Sequence, residues 1–304
     1  MPATIRTTAL ALIAATLGTA AAHAATRNLA IDASSLTVDS PCARAVTITP
    51  DPALSGHIDV LATADHPEEL AQLELTHDAG ARLGLPNGQN CWPSGILTTH
   101  FTPTLTLSIR VPASFPLSID ESGSATYGIG AVGALNLDLS GDAHVSVAAA
   151  TDIKADISGS GDVSIASAHG ALRLDQSGSA NFNVAGGMLN AAKLELSGSG
   201  NVALSPVTIG DLALDNSGSA HLALASGVNR ATLELSGSGD VDLNAPNLAN
   251  LVLDSSGSAT VRVKGNVGTA VLDLSGSGDV WLGHVTGSLT KNSSGSGTIH
   301  IGAN

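Results

Sequence analysis

Apolar and polar residues alternate along most of this chain. In the stretch 233–243, Leu233, Leu235, Gly237, Gly239, Val241 and Leu243 share one parity. Glu234, Ser236, Ser238, Asp240 and Asp242 share the other. Side chains of a strand point alternately to its two faces, so the pattern predicts a strand with the first set turned inward. The phrase recurs ten times, its first serine at Ser122, Ser140, Ser158, Ser177, Ser197, Ser217, Ser236, Ser256, Ser275 and Ser294. A fixed period of this length is the mark of a solenoid, in which each turn buries its apolar side against its neighbours. Leucine-rich repeats have a similar period but need a return arm and an Asn or Cys at a fixed offset. Here Gly, Ser and β-branched residues alternate instead, which is strand chemistry. The connecting Asn244-Ala245-Pro246-Asn247 reads as a turn. Coils stacked ~4.8 Å apart would make a rod roughly 50 Å long.

A second pattern lies over the first. The residue before the motif is apolar at Leu139, Ile157, Leu196, Leu235 and Leu274, and polar at Glu121, Gln176, Asn216, Ser255 and Ser293. The fourth motif residue mostly follows it, Gly after Leu or Ile and Ala after the polar residue, with Gly297 an exception. The repeating unit is therefore one coil of 19–20 residues or a pair of about 39. The shorter is favoured, because a 39-residue turn needs a larger core than these aliphatics fill.

Ahead of the array, residues 25–104 do not repeat the motif. Segments 45–49, 57–61, 73–76 and 82–85 alternate like strands, and Pro67 opens a short helical turn. The section reads as mostly β and as the cover of the first coil, since an open coil exposes unpaired strand edges. The array itself occupies 105–304. No C-terminal cap is evident after Ile301, which makes self-association one way to cover that end. No translocating barrel or sorting domain is expected to follow.

Residues 1–24 have the form of a secretory signal peptide, with Arg6, an apolar run from Ala9 to Leu17 and Ala22-His23-Ala24 as a small-x-small cleavage site. This predicts export, to the periplasm or as a secreted or cell-surface protein. No later apolar run is long enough to span a bilayer. In an exported chain the two cysteines, Cys42 and Cys91, are expected to form one disulfide. With 12 basic and 26 acidic residues the net charge is −14, which argues against nucleic acid as a partner.

The signal peptide, the N-terminal β section and the Ser-Gly-Ser-Gly-Asp-Val array together resemble the auto-transporter adhesin "head GIN domain" family of bacterial envelope proteins. The passage from Leu105 to Glu121 into Ser122-Gly123-Ser124-Ala125 resembles the way that family enters its array. The resemblance covers most of the mature chain and implies a right-handed parallel β-helix-like fold. It brings no catalytic residues to carry over.

The strongest candidate for chemistry is the column two residues before each motif serine: Asp120, Asp138, Asp156, Asp175, Glu195, Asp215, Glu234, Asp254, Asp273 and Asn292. If the coils stack in register, neighbouring carboxylates lie ~5 Å apart and repel by about 1 kcal/mol in water. Something must offset this: a divalent cation such as Ca2+, a polycationic ligand, or hydrogen bonds from backbone N–H groups of the Gly/Ser turn. A second acidic position follows the motif at Asp162, Asp240 and Asp279. The paired motif serines add hydroxyls that suit a glycan, or simply a tight bend. Trp281 is the one aromatic anchor for a sugar ring, or an ordinary strand-face Trp. The reading favoured is a non-enzymatic exported binding or adhesion module with an extended acidic, Ser-rich face toward a cell-surface glycan or envelope component. The rivals are a carbohydrate-active β-helix enzyme, a polysaccharide lyase or hydrolase, and a passive structural spacer.

Overall fold

The computed structural model describes residues 24–77, 80–85, 102–225 and 227–302, and these are nearly all strand. The strands form a β-solenoid of about ten turns. Residues 1–23 of the expected leader lie outside the described residues, as do Cys91 and Trp92. The second half of the expected Cys42–Cys91 bridge therefore lies outside them too.

Parallel ladders settle the length of the repeat. Asp156 pairs with Asp175 and Asp175 with Glu195, so each coil takes up one motif and not two. A coil contributes a stretch before the motif, such as 191–196, a stretch after it, such as 201–204, and a return stretch, such as 208–210. The return stretch runs into the next coil through a register shift, as between Gly170 and Ala171. The predicted turn at 244–247 is such an irregularity inside one long strand, Val241–Ser255. A bulge turns the chain there without ending the ladder.

The inward parity is the core. Leu194, Leu196, Val202, Leu204 and Ile209 are all buried, and the same columns run unbroken through the stack in a single apolar cluster. Each such side chain contributes roughly 1.5–3 kcal/mol on burial. Tyr127 and Phe182 lie in the same core, fully buried.

The motif glycines answer to a close approach between coils. A Cβ on Gly159, Gly178 or Gly198 would lie 1.8, 1.9 and 1.8 Å from the carbonyl oxygen of the glycine one coil below. No side chain fits there, which is why the first motif glycine is present in every coil.

The alternating residue before the motif points inward. Glu121, Gln176, Asn216 and Ser255 are all buried, in register with Leu and Ile of the intervening coils. The Gln176 Nε2 amide donates to the Ala180 carbonyl at 2.6 Å, and Asn216 Nδ2 donates to that of Ala220 at 2.8 Å. In the next coil a Cβ on Gly200 or Gly239 would fall 1.7 or 1.9 Å from the same two carbonyl oxygens. In these two coils one carbonyl joins both halves of the pattern: an amide binds it from its own coil, and only glycine can pass over it. The 39-residue periodicity is real as chemistry, although one turn is 19–20 residues.

The N-terminal section enters this stack out of sequence order. Its strands are β1 (Ala25–Asp32), β2 (Leu36–Asp39), β3 (Ala45–Pro50), β4 (His57–Ala64), β5 (Glu74–His77) and β6 (Ala81–Gly84), with helix α1 (Pro67–Gln72) after β4. They are followed by β7 (Thr106–Val111), β8 (Leu117–Glu121) and β9 (Thr126–Leu139). β2 pairs in parallel with both β6 and β8, and β3 with both β7 and β9. Residues 36–50 therefore form a coil held between a later one and the array. Antiparallel strands close that end: β5 on β6, β4 on β7 and β1 on β4. Helix α1 is tied down by its buried Glu69, whose carboxylate accepts from the backbone N–H groups of Thr104 and Leu105, both at 2.9 Å. The Arg27 guanidinium donates to the free carbonyls of Leu70 and Leu73 at the helix end.

At the other end, Lys291 and Ser293 stand in register with Leu272 and Leu274 but are exposed. Those two core columns turn polar in that coil, while Leu289, Ile299 and Ile301 continue the columns of Ala270, Val280 and Leu282.

Candidate functional site

The strand before each motif carries its acid outward because the residues on either side are core. Leu194 and Leu196 are buried around Glu195, and Leu253 and Ser255 around Asp254. Pairing then lines the acids up one per coil: Asp120 with Asp138, Asp138 with Asp156, and so through Asp175, Glu195, Asp215, Glu234, Asp254 and Asp273 to Asn292. One further member was missed from sequence. Asp39, on β2, pairs with Asp120 and extends the ladder by a coil. Its only signal was the Asp-Ser pair of Asp39-Ser40, with no Ser-Gly-Ser behind it.

The turn-capping role expected of these acids belongs to another residue. The Gly123 N–H donates to Glu121 Oε1 at 2.7 Å and the Gly218 N–H to Asn216 Oδ1 at 3.1 Å. In these two coils the cap comes from the inward residue next to the serine, because it faces the turn and the outward acid faces solvent. Compensation for ladder charge comes from bases two residues upstream. Lys154, Arg173 and Lys193 are themselves in register. Lys154 lies 2.5 Å from Asp156; Lys193 and Arg173 lie 2.7 and 3.4 Å from Glu195. Arg82 pairs with Asp39. The same column then reads Ala213, Thr232, Val252 and Val271, so among the described residues Asp215, Glu234, Asp254 and Asp273 have no base two residues upstream in their own coil. Val252 and Val271 are 44% and 47% exposed.

The electrostatics differ along the ladder accordingly. Burial, then the charges of Asp39 and Asp138, holds the Asp120 carboxyl above its ordinary value, with Arg82 opposing. The hydrogen bond and charge of Lys193 hold Glu195 below its own. Among the described residues no three His, Cys, Asp or Glu side chains converge as a metal site.

The second acidic position is built into links between coils. Asp240 accepts from the Thr260 N–H at 2.9 Å, and Asp279 from the Thr298 N–H and hydroxyl at 2.9 and 2.6 Å. Those bonds pull the Asp279 carboxyl below its ordinary value. Asp162 accepts from Asn181, and Asn181 from Asn201, as an amide ladder. Trp281 stacks on His300 of the next coil, with centroids 3.8 Å apart and planes at 14°. On its other side it is in register with Arg262. One face of the indole is therefore covered, and His300 is a member of this column that the sequence reading passed over. The motif serines pair across coils, as in Ser179 with Ser199 at 3.2 Å and Ser219 with Ser238 at 3.1 Å.

The family model described as "putative auto-transporter adhesin, head GIN domain" matches residues 83–212 and 206–304, together more than half of the chain. No curated protein matches. Among solved structures, a "putative lipid binding protein" from Parabacteroides distasonis is similar with a TM-score of 0.50 at 16% identity, over 91% of this chain and 96% of that one. A "putative adhesin" from Bacteroides fragilis gives 0.43 at 15% identity, over 92% and 97%. Another from Parabacteroides merdae gives 0.46 at 15%, over 91% and 95%. At such identities the likeness concerns the fold alone.

Proposed function

The chain belongs to the auto-transporter adhesin head GIN domain family, and from that premise we propose that it is an exported, non-enzymatic binding module of the cell envelope. Its contact surface is the acid ladder, and its partner is an envelope or cell-surface polymer that bears amino groups. The observation that supports this is the uneven charge of the ladder. Bases two residues upstream accompany Asp156, Asp175 and Glu195, whereas Asn136 and Ser118 hold those places beside Asp138 and Asp120. Among the described residues none of Asp215, Glu234, Asp254 and Asp273 has such a base. Four carboxylates at ~4.8 Å intervals repel one another, and a linear polycation relieves that repulsion at each step. The exposed Val252 and Val271 beside them add apolar contact.

Soluble chitosan is a suitable probe, with N-acetylated chitin oligomers as the uncharged control. The mature protein should bind chitosan and not the control, and the affinity should fall with salt. The combined variant D215N/E234Q/D254N/D273N should lose most of it, while Asp156→Asn should not. Binding that ignores salt and the combined variant would overturn the proposal. Shortening of the chitosan chains would move the protein to the carbohydrate-active enzymes, and no binding at all to the spacers. Calcium added to the same assay separates a metal ladder from a polycation surface: competition by Ca2+ with a raised melting temperature would assign the ladder to the ion.

A further inference from the structure

On the return side of the coils, a groove of about 480 Å³ runs across four consecutive coils from Met188 to Asn247. This is within the ordinary range of small-ligand sites, about 300–1,000 Å³. Gly227 helps to keep it open, since a Cβ there would meet nothing within 4 Å, whereas a Cβ on Gly210 would fall 2.4 Å from the Asn190 carbonyl oxygen. Three exposed amides line it, Asn190, Asn229 and Asn247, and among the described residues none of them has a hydrogen-bond partner. Met188 and Pro246 supply the apolar surface, and Met188, 60% exposed, is the most exposed large hydrophobic among the described residues. Among the described residues none of those lining it is charged, in a chain of net charge −14. The charged residues next to it, Asp211 and Arg230, pair with each other at 3.1 Å.

We infer that this groove is a binding site for a short stretch of neutral saccharide, about two or three units long. Side-chain amides both donate and accept, so three of them suit hydroxyl and acetamido groups. Met188 and Pro246 offer apolar contact to the C–H faces of the ring. An acidic sugar would find no cation in the lining. An acyl chain would cover three amides without satisfying them, which disfavours a lipid. The site lies on a different face from the acid ladder and does not depend on it.

The chain contains two methionines, Met1 and Met188, so methyl-labelled methionine makes Met188 a direct NMR reporter of the groove. Gly227 supplies the control: a Cβ there meets nothing within 4 Å, so Gly227→Leu fills the groove without straining the coil. Titration of the mature protein with cellotriose, maltotriose and chitotriose to ~20 mM should move the Met188 signal saturably for at least one of them. Gly227→Leu should abolish that shift. The pair N229A/N247A, which leaves the backbone untouched, should weaken binding by about two- to tenfold for each hydrogen bond lost. The D215N/E234Q/D254N/D273N variant should bind like the parent. No shift with any of the three sugars overturns the inference, as does a shift that survives both groove variants. A shift with decanoate in place of the sugars would assign the groove to an acyl chain and would overturn it equally.

Discussion

Gly198→Ala tests the idea that coil spacing is set by the motif glycines. The new methyl carbon would sit 1.8 Å from the Gly178 oxygen, where real contacts essentially never fall under 3.0 Å. The two coils must part by over about 1 Å, and overpacking of that kind is not absorbed by a rotamer change. Three hydrogen bonds cross the same gap: Ser197 N–H to the Gln176 carbonyl at 2.9 Å, Gly198 N–H to that carbonyl at 3.3 Å, and Ser199 N–H to the Gly178 carbonyl at 3.1 Å. At ~0.5–1.5 kcal/mol each their loss costs about 1.5–4.5 kcal/mol. The reduced freedom of alanine in the unfolded chain returns ~0.4–1 kcal/mol. A net loss of roughly 0.5–4 kcal/mol follows. Gly227→Ala is the matched control, since its Cβ meets nothing within 4 Å, and it should be neutral or stabilising by up to ~1 kcal/mol. Urea unfolding followed by far-UV circular dichroism reads both. Hydrogen exchange should show the damage confined to the coils that flank Gly198, because a solenoid coil touches only its neighbours. If Gly198→Ala unfolds within about 0.5 kcal/mol of the parent, or no worse than Gly227→Ala, the close-approach account fails.

Glu121 gives a pH dependence of known sign. Burial, the largest cause, raises its carboxyl above the ordinary value of 4.5, while bonds from Tyr127 and Gly123 oppose it. The folded state therefore holds this proton more tightly than the unfolded chain; its stability is fully present below the ordinary value and is lost as pH rises through the folded one. Glu121→Gln, which places here the residue type found at Gln176, should be more stable than the parent at about pH 8 and should flatten the decline between about pH 4 and pH 8; a variant weaker at the upper pH would count against it. For the two cysteines, the unfolded mature protein should show no free thiol, and reduction should lower the melting temperature by the equivalent of up to ~4 kcal/mol for a loop of about 50 residues. Two titratable thiols in the oxidised protein would refute the Cys42–Cys91 pairing.

The array was legible because its physics is local and repeated: parity places Leu233, Leu235, Val241 and Leu243 inside, and the period aligns one acid above the next. The start of the stack was not. β2 lies beside β8 and β6 through pairings 81 and 45 residues apart, such as Leu36 with Leu117 and with Ala81, and no short-range pattern records which coil a lone strand joins. Among candidate residues, the ladder from Asp120 to Asp273 assembled as its spacing implied. The spacing could not say which acids carry a base, because Lys154, Arg173 and Lys193 matter only through their register with one another. Trp281 was visible as an aromatic, but its cover, His300, lies a full coil away.

The alternation of buried polar and apolar residues also bears on how a chain of near-identical repeats finds one register. Equivalent coils invite slippage, since any motif could stack on any other. Here the fourth motif residue limits that freedom. Gly161, Gly200, Gly239 and Gly278 each pass over an alanine carbonyl at a place where a Cβ would lie 2.0, 1.7, 1.9 and 1.9 Å from the oxygen. A slip by one coil would bring alanine over alanine and would remove the glycine from above the amide-bound carbonyls of Ala180 and Ala220. The stack tolerates alanine over alanine once, at Ala143 above Ala125, in the coil whose motif carries Asp142 in place of the second serine. Elsewhere from Gly161 to Gly278 the two-coil code holds. The alternation of glycine and alanine therefore does for this solenoid what a single buried asparagine does for a coiled coil: it disfavours the wrong register, here by steric conflict between neighbouring coils.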